Sequence, residues 1–137
     1  MNTITNIDQI IAAYALVGDI LNEQSIDIPV FQIAHPNKNL PEEFILVKSI
    51  TQYDVWSPLI NGAVEICIYV KNPRLKDDQS RPNLIRLQAL SSTIVPRLKG
   101  GSKNRIAFND IRTTLVSDPE INYFYQSIVI DTVSINA

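Results

Sequence analysis

The sequence predicts an α+β domain: an antiparallel, in part mixed, sheet with two helices packed on one face, in the order α-β-β-β-α-β-β. Three observations predict it. Two segments, near residues 6–22 and 82–98, repeat apolar residues at helical spacing. The runs between and after them alternate apolar and polar residues with the period of two that a half-buried strand needs. Strands and helices do not alternate regularly, as they would in a parallel βαβ sheet.

Taken in order, Thr5 can cap the first helix with Asp8 three places on, and Ile7, Ile10, Ile11, Tyr14 and Leu21 form its apolar stripe. Gly18 weakens its last turn. After Pro29, Val30–Ala34 reads as a short strand. "HPNKNLPEE" carries two prolines and two asparagines, which fix φ and remove backbone donors, so it is a loop. Phe44–Ile50 resumes the strand pattern, and "QYDVWSPLIN" at 52–61 reads as irregular.

The cleanest alternation follows in "GAVEICIYVKN", with Val64, Ile66, Ile68 and Val70 on one face and Glu65, Cys67, Tyr69 and Lys71 on the other. "PRLKDDQSRP" is charged and proline-flanked, hence a solvated loop. Pro82 suits the first turn of the second helix, whose stripe is Leu84, Leu87, Ser91, Ile94 and Leu98. Gly100 and Gly101 stop that helix, and Pro96 kinks or tightens its last turn. Ile106–Ser117 and Tyr123–Ile135, joined through "SDPE", make a closing hairpin.

A chain of 137 residues is the size of one domain with one core, and no repeat or low-complexity tract divides it. Its 45% hydrophobic and 19% charged residues, spread evenly, mark a folded chain rather than a disordered one. Twelve basic residues against fourteen acidic ones leave no electrostatic footprint for wrapping nucleic acid. The first six residues hold no positive charge, and the apolar run Ile10–Val17 falls far short of the roughly 20 residues that span a bilayer. The expectation is a chain that starts near Met1 and stays inside the cell.

Residues able to carry chemistry are few. Cys67 is the single cysteine, flanked by isoleucines, and reads as a buried thiol. His35 is the single histidine. A catalytic role for it requires an orienting carboxylate, and Glu42 and Glu43 are the nearest in sequence; a strand-end or loop histidine is the competing reading. One histidine makes a poor zinc site. "KGGSKNR" at 99–105 lacks the order of a phosphate loop and follows a helix instead of opening one, so it reads as a helix stop and a basic turn. "KDD" at 76–78 offers paired carboxylates for Mg²⁺ or simply a charged loop tip. No serine stands in a nucleophile elbow. Tyr69, Tyr123, Tyr125 and Trp56 either enrich an interface or finish the core.

The helix ending in "ALVGDILNE", the strand and proline turn "IPVFQIAHPNKNLPEEFILVKS", the strand "GAVEICIYVKN" leading to "RPNLIRLQALSSTIVPRL", and the closing "INYFYQSIVIDTVSI" together resemble the small tail-terminator, or tail-completion, proteins of long-tailed bacteriophages and prophages. The likeness covers nearly the whole chain; "QYDVWSPLING" departs from it. The resemblance implies a non-enzymatic protein with no cofactor and no catalytic residues. It implies a homo-oligomeric ring, a hexamer, with a tail-tube protein on one side, a head-completion or connector protein on the other, and DNA only as passing cargo. It places the protein in the host cytoplasm during assembly and then in the virion tail.

The candidate contact residues are Tyr53, Asp54 and Trp56 in the 52–61 segment, Arg74, Lys76, Asp77, Asp78 and Arg81 in the charged loop, and Lys99, Lys103 and Arg105 in the basic turn. Two other readings stand beside this one: a small ligand-binding or enzymatic α+β domain with a cleft near His35, and another neck or baseplate component.

Overall fold

The computed structural model describes residues 4–56, 59–76 and 78–135. Helix α1 (Asn6–Glu23) opens on the expected capping box: the Asp8 amide donates to Thr5 Oγ1 (3.4 Å) and the Thr5 amide to Asp8 Oδ2 (2.7 Å), so two otherwise orphaned donors are satisfied. Gly18 does not end it. The helix runs on to Glu23 and stops where Ser25 takes φ of 55°, letting the Ile26 amide reach back to the Leu21 carbonyl.

The stripe α1 buries is not quite the one its sequence suggests. Ile10, Ala13, Val17, Ile20 and Leu21 are buried together with Ala12 and Leu16, whereas Ile7, Ile11 and Tyr14 are exposed. Three alanines on this helix blur the pattern, because small residues tell little about which side faces the sheet.

Six strands form one sheet in the order β1-β2-β3-β6-β5-β4: β1 (Val30–Gln32), β2 (Glu43–Trp56), β3 (Leu59–Lys71), β4 (Ser102–Lys103), β5 (Ile106–Asp118) and β6 (Tyr123–Ile135). Only β1–β2 is parallel, so the sheet is mixed. Strand β1 ends two residues before the expected Ala34. Ile33 adopts φ of 72°, a conformation β-branched residues avoid, and the chain turns off the sheet there.

Segment 52–61, expected to be irregular, is the far end of a β2–β3 hairpin: Gln52, Tyr53 and Asp54 pair with Gly62, Asn61 and Ile60, and Trp56 with Leu59. Register shifts between Ser49 and Thr51 and between Asp54 and Trp56 insert extra residues, which destroy the period-two alternation that marks a strand in sequence.

Helix α2 (Leu84–Leu98) is capped by Asn83, whose side chain accepts from the Arg86 amide, so Pro82 precedes the helix and does not occupy its first turn. Its buried stripe is Leu87, Leu90, Ile94 and Leu98; Leu84 lies outside it, exposed. After the helix, Gly100 takes φ of 76°, the left-handed conformation that a chain end without a side-chain penalty permits. The basic turn then holds an unexpected short strand, β4, tied to β5 through Asn104 and Arg105, both at positive φ.

Both helices pack on one face. Ile45 and Val47 of β2, Val64, Ile66, Ile68 and Val70 of β3, Phe108 of β5, and Ile128 and Ile130 of β6 meet α1 and α2 in one mainly aliphatic core. The opposite face carries a second, smaller cluster of Phe44, Leu46, Cys67, Tyr69 and Tyr123. No helix among the described residues is long and apolar enough to cross a membrane.

Candidate functional site

The register sorts the candidate contact residues onto two opposite ends of the sheet. Trp56 pairs with Leu59, which pairs with Ile135; Ile106, one residue past Arg105, pairs with Ser134. Tyr53, Asp54 and Trp56 therefore share one end with Lys103 and Arg105. At the other end Lys71 pairs with Tyr123, and the Asn72 amide donates to the Asn122 carbonyl, which seats the charged loop beside the β5–β6 turn. Thirteen residues of β3 separate the two ends, roughly 40 Å at strand rise.

Within the charged loop, Asp78 is occupied locally. Its carboxylate accepts from the Ser80 amide (2.8 Å), the Ser80 hydroxyl (2.5 Å) and Arg81 Nε (3.1 Å), which holds its pKa below the ordinary aspartate value. Asn72 ties the loop down by donating to the Gln79 carbonyl. Arg74 and Lys76 are exposed, and Asp77 lies outside the described residues. At the other end Lys103 Nζ meets Asp19 of α1 at 2.7 Å, pinning β4 to the helix, while Lys99 and Arg105 are exposed. Lys103 is thus engaged within the fold, and Arg105 and Lys99 are the cations that end presents.

His35 is seated against the aromatic face. Its ring lies 5.5 Å from Phe44 and 5.9 Å from Tyr69, both edge-on, and its Nδ1–H donates to the Pro36 carbonyl at 2.9 Å. Glu43 is on the other side of the sheet, where its carboxylate receives Arg86 Nε at 2.5 Å and Nη2 at 2.9 Å. Glu42 gives its backbone carbonyl to Lys71 and its side chain to solvent. The imidazole and the two carboxylates that stand near it in sequence do not converge.

Of the aromatic candidates, Tyr69 and Tyr123 are core residues. Tyr69 stacks between Phe44 (4.4 Å) and Tyr125 (4.5 Å), and Tyr123 donates its hydroxyl to the Pro41 carbonyl at 2.7 Å, clamping the 33–42 loop over the cluster. Burial pushes the Tyr69 phenol well above its ordinary value. Cys67 is fully buried, and burial with the nearby Glu65 charge raises its thiol to about 12, so it stays protonated and unreactive at neutral pH.

Beyond the aromatics the open face turns polar. Glu65 accepts from Ser127 Oγ at 2.5 Å and meets Lys48 Nζ at 3.3 Å; burial opposes its charge, but these two partners outweigh burial and hold its pKa below the ordinary value. Arg112 and Asp131 form a looser surface pair at 3.3 Å. Alternation in sequence placed Glu65 on this face, but its partners come from two other strands and left no local signal.

Sequence reasoning also passed over a groove of about 320 Å³ between α2 and β5, walled by Leu84, Ile85, Leu87 and Leu115. Ile85 is 83% exposed and Leu115 43%, an apolar surface open to water beside the edge of the sheet. The adjacent pair Leu84 and Ile85, one of them necessarily off the buried stripe, was the available signal. No family model matches this sequence, and no curated protein matches it either.

Proposed function

We propose that the protein is a tail-terminator-like structural component of a long-tailed bacteriophage or prophage. Copies assemble side by side into a ring, a hexamer in this reading. One end of the ring caps the tail tube and the other receives a head-completion protein, with DNA passing through. It works through surfaces, without bond chemistry and without a cofactor, first in the host cytoplasm and then in the virion tail.

The observation that carries the reading is the division of the candidate contact residues between two ends roughly 40 Å apart along the strands. A subunit inserted between two different partners needs two separate docking surfaces, and it needs further lateral ones to meet its own copies. Tyr53, Asp54, Trp56 and Arg105 supply one end; Arg74, Lys76 and Arg81 supply the other. A net charge of −2 suits a passage through which DNA moves without being held.

Removing the gene from the virus that carries it tests the reading. The expected result is complete heads and separate tails that fail to join, restored by wild type and by His35→Ala. Joined particles in the absence of the gene contradict it, as does a substrate turnover that His35→Ala abolishes.

A further inference from the structure

We infer that neighbouring copies join edge to edge, the distal half of β2 in one copy pairing antiparallel with the distal half of β5 in the next, so that the sheets run continuously around the ring. The inference rests on the ring reading above and specifies its lateral contact.

Both outer edges of the sheet are half covered. Strand β1 covers β2 only from Ile45 to Val47, with the Ile33 amide on the Val47 carbonyl as the last bond. Strand β4 and Gly101 cover β5 only from Ile106 to Phe108. Among the described residues, Lys48–Trp56 of β2 and Ile111–Asp118 of β5 pair on one side only. Such edges are templates for another strand, and proteins usually blunt them with proline or with extra charge. Neither stretch contains a proline.

The two open halves are diagonal to each other. Lys48 pairs with Glu65, Glu65 with Val129 and Val129 with Arg112, so one row across the sheet marks where both covers end. β2 is open on one side of that row and β5 on the other. Because β2 and β5 run in opposite directions, a copy placed beside the next meets it antiparallel, and each short cover then lies beyond the end of its neighbour's open stretch.

Lys48 and Asp118, which share the face opposite the helices, come opposite each other in this pairing, and Ser49 meets Ser117. The bulge at Ile50 takes up the extra residue of β2. The arriving strand also covers Leu115 and the apolar groove beside α2.

The displacement is one that a closed ring can absorb. Setting Asp118 rather than Arg112 at the level of Lys48 shifts each copy by six positions along the strands, roughly 20 Å, across four long strands that are together roughly 19 Å wide. In a closed ring the strands then tilt about 45° to its axis, close to the tilt of barrels, and the stagger is taken up as shear instead of accumulating as a helical rise.

Cysteine pairing tests it in the full chain, where native Cys67 is buried away from oxidant. Ser49→Cys is combined in turn with Ser117→Cys, Leu115→Cys and Thr113→Cys, and each variant is oxidised at the highest attainable concentration, with mass measured in parallel. The expected result is a ladder of disulfide-linked species, strongest for Ser49 with Ser117 and ending at the ring size, and no ladder from any single variant. A closed oligomer with no β2–β5 cross-link overturns edge pairing and leaves the ring reading standing. Dimers from Ser117→Cys alone indicate a two-fold contact and overturn it as well. A chain that neither associates nor cross-links overturns both.

Discussion

The two faces of the sheet solve different problems with different residues. Under the helices the surface is almost wholly aliphatic: Val64, Ile66, Ile68, Val70, Ile128 and Ile130 meet leucines, isoleucines and alanines of α1 and α2 in a sealed layer. On the other face Phe31 of β1, Leu40 of the 33–42 loop and Ile121 of the β5–β6 turn pack against Phe44, Tyr69 and Tyr123, and the rest of the face carries Lys48, Glu65, Ser127, Arg112 and Asp131. Tyrosines suit the boundary, since the ring packs while the hydroxyl reaches a carbonyl or water, as Tyr123 does with Pro41. Stability therefore resides mainly on the helix face, and the opposite face remains open for contacts.

The largest effect is expected where the aliphatic layer is sealed. Ile66→Ala leaves a cavity beneath both helices and should cost about 3 kcal/mol, read as a lower denaturation midpoint at unchanged slope. A loss below about 1 kcal/mol would mean that the layer collapses freely and the contrast between faces is false.

Next comes a polar side chain on that face, which also buries the hydroxyls of Thr132 and Ser134. Gln9 is fully buried in α1, and among the described residues neither its amide nitrogen nor its oxygen has a partner, a desolvation cost without compensation. Gln9→Met, similar in volume, should raise stability by about 1–2 kcal/mol in the same denaturation experiment. Destabilisation instead would show that the amide is satisfied in solution.

The smallest effect belongs to the open face. The carboxyl of Glu65 titrates below its ordinary value of 4.5 in the folded protein, so its contribution is complete above that pH and is lost as the pH falls through the folded value. Comparing stability at pH 7 with pH 3, Glu65→Gln should shrink the acid loss by less than about 1 kcal/mol, since Lys48 is partly solvated. An unchanged acid slope would remove Glu65 from the acid-sensitive groups.

Much of this architecture was legible because it rests on local rules. Thr5 with Asp8, Gly100, and the alternation from Val64 to Val70 each depend on neighbours in sequence, and each was found where it was expected. What stayed hidden depends on long-range pairing. Two bulges concealed the β2–β3 hairpin tip, the two-residue β4 is too short to show a period, and the partners of Glu65 lie on β2 and β6. The groove beside α2 exists only because β5 and α2 are juxtaposed by the crossover from β3. His35 could be read either way until its packing against Phe44 and Tyr69 was known.

The central claim is that the protein acts by closed self-association, and the mass of the purified chain across a wide concentration range, by light scattering or native mass spectrometry, tests it most directly. The account predicts a transition from the monomer to one discrete species larger than a dimer, with no growth beyond it. A monomer at every concentration, or open-ended polymers without a preferred size, would contradict it.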